Sequence, residues 1–115
     1  MHRAILKMIK GIAKTRPDFI KSSVRKNIWV EEHCTLKIQL PRQAGNTSLY
    51  NLIFTSLEHV VCITANSKER YNMTERLFEH KDYVLVDGWS EFSAVQKRSL
   101  FKNVWEDVKC VILIG

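Results

Sequence analysis

Two short stretches of this 115-residue chain carry residue types and spacings that could do chemistry. The first is Pro41-Arg42-Gln43-Ala44-Gly45-Asn46-Thr47-Ser48. It follows an alternating run, Thr35–Leu40, whose apolar Leu36, Ile38 and Leu40 predict a strand, and it leads straight into a helical pattern over Thr47–Leu57. A strand, a turn with glycine and then a helix aim successive backbone N–H groups at an anion, and the positive end of the helix dipole adds to them. The plain alternative is an ordinary strand–helix turn with Gly45 as its flexible point. The second stretch is Asp87-Gly88, at the carboxyl end of the apolar run Tyr83–Val86. Ligands of open parallel sheets bind beyond the carboxyl ends of strands. Taken alone, Asp-Gly is an unremarkable turn.

A third candidate is electrostatic. The formal net charge is +6. Residues 1–26 hold eight basic residues (Arg3, Lys7, Lys10, Lys14, Arg16, Lys21, Arg25 and Lys26) against one acid, Asp18. The rest of the chain is close to neutral, so all the excess charge belongs to this segment. Clustered Lys and Arg are rewarded by a phosphate backbone whatever its sequence. Arg3, Lys7, Lys10, Lys14, Arg25 and Lys26 are therefore the candidate nucleic-acid contacts. A solvated helix face and an anionic membrane surface are the competing readings. Lys97, Arg98 and Lys102 form a second, weaker basic cluster. Of the three tryptophans, Trp29 and Trp105 fall on apolar faces. Trp89, directly after Asp87-Gly88, is the one expected to be exposed to a base.

The elements that must position these residues follow from periodicity. His2–Lys14 pairs an apolar stripe (Ile5, Leu6, Ile9, Ile12, Ala13) with the basic stripe, which predicts one amphipathic helix. Pro17 suits the first turn of a second helix reaching about Val30. Beyond it, Val60–Thr64, Tyr83–Val86 and Val108–Ile114 are short apolar strands. A capped helix is expected from Asn66 to about His80, and another over Glu91–Trp105. Strands alternating with helices imply crossover connections, and strands apolar on both faces imply a covered sheet. The expected fold is a small three-layer α/β domain with a mostly parallel sheet of about four strands. It divides into a basic helical segment, 1–30, and an α/β domain, 31–115.

In this order, the loop and the acidic strand resemble the P-loop ATPases, and most closely the large terminase subunits of tailed phages. That family's phosphate loop typically reads Arg-Gln-x-Gly-Lys-Ser/Thr, and Arg42, Gln43, Gly45 and Thr47 fall on its positions. Val60–Thr64 with Ala65-Asn66-Ser67 resembles the family's next conserved stretch, and Tyr83–Asp87 its acidic strand. The likeness covers about residues 35–115. It implies a phosphate site lined by Arg42, Gln43, Gly45, Asn46 and Thr47, with Thr47 and Asp87 on a magnesium ion. Two departures weaken catalysis. Asn46 replaces the lysine that reaches the β- and γ-phosphates, and Gly88 replaces the acid that orients water, with Glu91 three residues on. Phosphoryl transfer depends on positioning and electrostatics, so ATP with magnesium is expected to be held weakly at best, without hydrolysis.

Other classes are disfavoured. No apolar run approaches the roughly 18 residues of a membrane span. Lys7 and Lys10 interrupt any signal-peptide core. A cytoplasmic protein is expected, in the host cytoplasm if the chain is viral. Cys34, Cys62 and Cys110 lack C-x-x-C spacing and are expected as reduced core thiols. His2, His33, His59 and His80 share no spacing. The leading expectation is a non-hydrolysing, P-loop-like viral accessory or regulatory protein that binds nucleic acid or an acidic host protein. The alternatives are a weak ATPase related to packaging motors, and an inhibitor that acts only by protein contact.

Overall fold

A computed structural model describes residues 2–15, 25–40, 46–65 and 67–115 of the chain. In order they form α1 (His2–Thr15), α2 (Lys26–His33), β1 (Thr35–Ile38), α3 (Asn46–Ser56), β2 (Val60–Ile63), β3 (Tyr83–Asp87), α4 (Ala94–Asn103) and β4 (Cys110–Ile114). Single 3-10 turns occupy Lys68–Arg70, Glu75–Phe78 and Trp89–Glu91.

The strands form one sheet in the order β1-β4-β3-β2, and every pairing is parallel. β3 and β4 hold the centre because their sequences, YVLVD and CVILI, are apolar at successive positions and can be buried on both faces. Parity along the strands then divides two cores. Tyr83, Leu85, Cys110, Ile112 and Ile114 face one side, where Ile5 and Ile9 of α1 and Leu49 and Ile53 of α3 cover them. Val84, Val86, Val111 and Leu113 face the other, beneath Trp29 and Val30 of α2 and Leu100 and Phe101 of α4. The expected three layers are present, and α1 and α2 lie on opposite faces of the sheet. The radius of gyration is 13.4 Å, close to the roughly 13 Å of one folded domain of this size.

α1 forms as its pattern predicts. Ile5 and Ile9 are buried, while Arg3, Lys7, Lys10 and Lys14 are exposed. α2 runs to His33, three residues past the expected Val30, and the expected start at Pro17 lies outside the described residues. The helix expected from Asn66 to His80 is not one helix. Two 3-10 turns flank Tyr71-Asn72-Met73-Thr74. Its buried residues, Met73 and Phe78, are five positions apart, a spacing that no single helix face serves. The helix expected over Glu91–Trp105 begins only at Ala94, where Ser93 accepts from the Gln96 N–H and the Gln96 side chain accepts from the Ser93 N–H. This reciprocal cap sets the start, and the helix stops before Trp105. No helix among the described residues is long and apolar enough to cross a membrane.

Candidate functional site

The connection leaving β1 enters α3 on one face of the sheet, and the connection leaving β3 enters α4 on the other. β4 lies between these two strands. The chain thus departs in opposite directions from the neighbours of β4, which makes its carboxyl end the topological switch point, the usual ligand position in such sheets.

Asp87 sits at this edge. It continues the parity of Tyr83 and Leu85, so its side chain belongs to the face that α3 covers. There it is half-buried and accepts a hydrogen bond from the Tyr50 hydroxyl, Oη to Oδ1 at 2.6 Å. Tyr50 lies in the second turn of α3 and Thr47 three residues before it. Residues three apart share a helix face, so the exposed Thr47 stands one turn nearer the helix start on the side that meets Asp87. Helix α3 has no acid in its first turn, so no carboxylate of its own offsets the positive end of its dipole. Asn46 is the first residue of α3. Arg42, Gln43 and Gly45 lie outside the described residues, so the loop itself does too, as do Pro41 and Ala44.

Cys62 adjoins this edge. Burial pushes its thiol up to about 11, and the Asp87 and Glu69 carboxylates push the same way. Cys34 and Cys110 are buried, and burial pushes the Cys110 thiol up to about 12, with Cys34 adding to the shift. Among the described residues no group of three or more His, Cys, Asp or Glu is placed to hold a metal ion.

The position after Asp87 has a steric explanation. Gly88 has φ of 74° in the left-handed region, and a Cβ built on it would lie 2.8 Å from the Cβ of Ala65. An acid there would be strained twice. Glu91 Oε2 lies 3.7 Å from that same imagined Cβ, so a carboxylate does stand beside Gly88, delivered from the next turn. Arg70 locks these loops together. Its guanidinium donates to the Ala65 carbonyl at 2.7 Å and the Glu91 carbonyl at 2.9 Å, and lies over the Phe92 ring. Sequence reading missed both Tyr50 and Arg70. The one available signal for Tyr50 was its i+3 spacing from Thr47.

The six candidate nucleic-acid residues are not brought together as one patch. Arg3, Lys7, Lys10 and Lys14 are exposed along α1. Arg25 and Lys26 begin α2 on the other face. Lys26 shares its cleft with three acids, Glu75, Glu106 and Asp107. Trp29 is buried, as expected, whereas Trp105 is only half-buried and lies beyond α4. Trp89 is half-buried, with its ring 5.4 Å from Phe92 and 5.8 Å from Phe101.

Comparison with models of protein families, with curated proteins and with solved structures gives no match. The fold class is therefore defined by its own topology: an α/β domain with a wholly parallel sheet and helices on both faces.

Proposed function

We propose that this chain is a P-loop-like phosphate-binding module, an accessory or regulatory protein of viral type, that binds nucleic acid through α1 and does not hydrolyse nucleotide. The observation that carries it is the approach of α3 to Asp87: the helix that follows the expected phosphate loop touches, through Tyr50, the acid expected to face that loop. A second support is topological: α3 follows β1 and Asp87 ends β3, and these strands are the two neighbours of β4, where such sheets bind ligands.

The donor set suits a magnesium-bound phosphate in part. The Thr47 hydroxyl and Asp87 Oδ2 are hard oxygen ligands of the type magnesium takes, and Tyr50 orients the carboxylate through Oδ1. A bound magnesium–nucleotide would supply phosphate oxygens for the N–H groups at the start of α3. Asn46 stands where the family's loop has the lysine that neutralises charge developing on a transferred phosphoryl group, and Thr47, Tyr50 and Asp87 supply no cation in its place. Weak binding without turnover is what this set supports. Lys37 does not fill the gap. Leu36 and Ile38 face α1 and α3, so Lys37 points to the opposite side of the sheet.

Calorimetric titration with magnesium and ATP tests the site. Weak binding is expected, lost in Asp87→Ala and reduced in Thr47→Ala, with no phosphate release above background. Absence of any heat at millimolar nucleotide would remove the reading. Gel shifts with DNA test α1, using Lys7→Gln with Lys10→Gln rather than deletion, because deletion also removes Ile5 and Ile9 from the core.

A second reading, slow ATP hydrolysis, is favoured by one observation, the Glu91 carboxylate beside Gly88. Phosphate release abolished by both Asp87→Ala and Glu91→Gln would establish it. Equal release from either variant and the parent would exclude it. If α1 binds an acidic protein instead, capture of that partner will survive nuclease treatment and be lost in the α1 double variant.

A further inference from the structure

On the face of the sheet opposite Asp87, a cleft of about 210 Å³ is bounded by α2, the edge strand β1, the turn after β3, and α4. Its walls include Glu31, Lys37, Trp89, Lys97, Arg98 and Phe101. We propose that this cleft binds single-stranded nucleic acid, with Trp89 stacking on one base and Lys37, Lys97 and Arg98 holding the flanking phosphates. The inference rests on neither the phosphate loop nor α1.

Three features carry it. First, the indole of Trp89 is held in place. It meets Phe101 edge-on at 5.8 Å and Phe92 at 5.4 Å, yet is only half-buried. What lies over its ring is the flexible Lys97 side chain, with Nζ 5.3 Å from the ring centroid. A cation resting over an aromatic face is held weakly when the site is open to water, so a base can take that place while the ammonium turns to a phosphate. Second, the charge is unbalanced. Lys37, Lys97 and Arg98 outnumber the carboxylate of Glu31, and among the described residues none of the three cations has an ion-pair partner. Third, the cleft is smaller than the roughly 300–1,000 Å³ that encloses a drug-sized ligand. It suits one flat group entering from a strand that continues past it. A duplex hides the faces of its bases, and a half-buried indole cannot reach them. Sequence-tolerant binders of single strands combine the same parts, a basic groove and an aromatic platform.

Oligothymidylate, a duplex of equal length and an abasic strand of equal length, each titrated into the full chain at low salt, separate the possibilities. Intrinsic tryptophan fluorescence and affinity are read together. Oligothymidylate should quench fluorescence and bind more tightly than either the duplex or the abasic strand. Trp89→Leu should weaken it about ten-fold or more, and Trp89→Phe much less. Lys97→Gln and Arg98→Gln should each flatten the salt dependence by somewhat less than one counterion. Because Trp89→Leu also removes contacts to Phe92 and Phe101, its fold is checked by circular dichroism. If it does not fold, the Lys97→Gln and Arg98→Gln variants decide. Lys7→Gln with Lys10→Gln reports on α1 alone, and should lower affinity for all three probes without changing the quench. Duplex bound as tightly as oligothymidylate would overturn the proposal. So would quenching and affinity unchanged in Lys97→Gln with Arg98→Gln, or a folded Trp89→Leu that binds like the parent.

Discussion

Tyr50 donates its hydroxyl to Asp87 Oδ1 over 2.6 Å, joining the second turn of α3 to the end of β3 across 37 positions of sequence. The bond fixes how α3 sits over the sheet, and therefore where its first turn and Thr47 stand. Tyr50→Phe keeps the ring and removes only the donor. A hydrogen bond to a charged acceptor contributes about 1.5–3 kcal/mol when well shielded; here both groups are half-buried, and a loss of about 1–2 kcal/mol is expected. Urea unfolding monitored by circular dichroism reads it. Tyr50→Phe as stable as the parent would mean that the bond does not hold α3 in solution.

Gly88 and Ala65 set a second test. A left-handed φ on a residue with a side chain costs about 1–3 kcal/mol, and the 2.8 Å approach to the Ala65 Cβ adds to it. Gly88→Ala should lower stability by at least about 2 kcal/mol. Gly88→Asp should be no better tolerated, although it would put a second acid directly after Asp87. Ala65→Gly in the Gly88→Ala background removes the clash and leaves the backbone strain, so it should recover part of the loss and not all. Thermal melts of the three variants check the ordering.

These two contacts show why the fold was legible in the sequence and much of the site was not. β2, β3 and β4 were visible because VVCI, YVLVD and CVILI are apolar on both faces, which in a short segment means a covered strand. α1 was visible because Ile5 and Ile9 repeat with a helical step. Strand order has no such local signature. That β4 inserts between β1 and β3 is decided by which crossover covers which face, and in this order Tyr50 of α3 meets Asp87 of β3. The stretch after β2 misled for a related reason. The Asn66–Glu69 spacing looks like a cap, but Arg70 is bound to the Ala65 and Glu91 carbonyls, and this tertiary tie draws the chain into a tight turn. The Ser93–Gln96 cap was present in the sequence and is the true start of α4.

α1 separates packing from charge. Ile9 is fully buried against α3 and β4, and Ile9→Ala should cost about 2–5 kcal/mol. Met8, 48% exposed on the other side, should cost little when replaced by alanine. Lys7→Gln with Lys10→Gln should leave stability within about 0.5 kcal/mol and reduce the magnitude of the slope of log affinity against log salt for duplex DNA by about 2. Equilibrium unfolding and DNA titrations at several salt concentrations give both readings. An unchanged slope would place the DNA contact elsewhere on the molecule.

The thiols predict an alkaline limit. Burial holds Cys110 protonated in the fold up to about 12, against an ordinary 9.0. The unfolded chain therefore releases this proton at a lower pH than the folded chain. Stability from this source is complete below pH 9 and is lost as pH rises from 9 towards 12. Near pH 11 the loss reaches at most about 2–3 kcal/mol. Cys110→Ala has no proton to release, so it should start less stable at pH 8 because it leaves a cavity, yet lose less between pH 8 and pH 11. Cys62 tests the link to the site directly. Its thiol is raised to about 11 by burial first and by the Asp87 carboxylate second. Asp87→Asn removes that charge and should lower the Cys62 pKa, which increases the reactive thiolate at pH 8.5. Iodoacetamide labelling followed by peptide mass mapping should then show Cys62 alkylated faster in Asp87→Asn than in the parent, with Cys110 unchanged. Equal labelling of Cys62 in both proteins would show that the Asp87 carboxylate does not bear on this edge of the sheet.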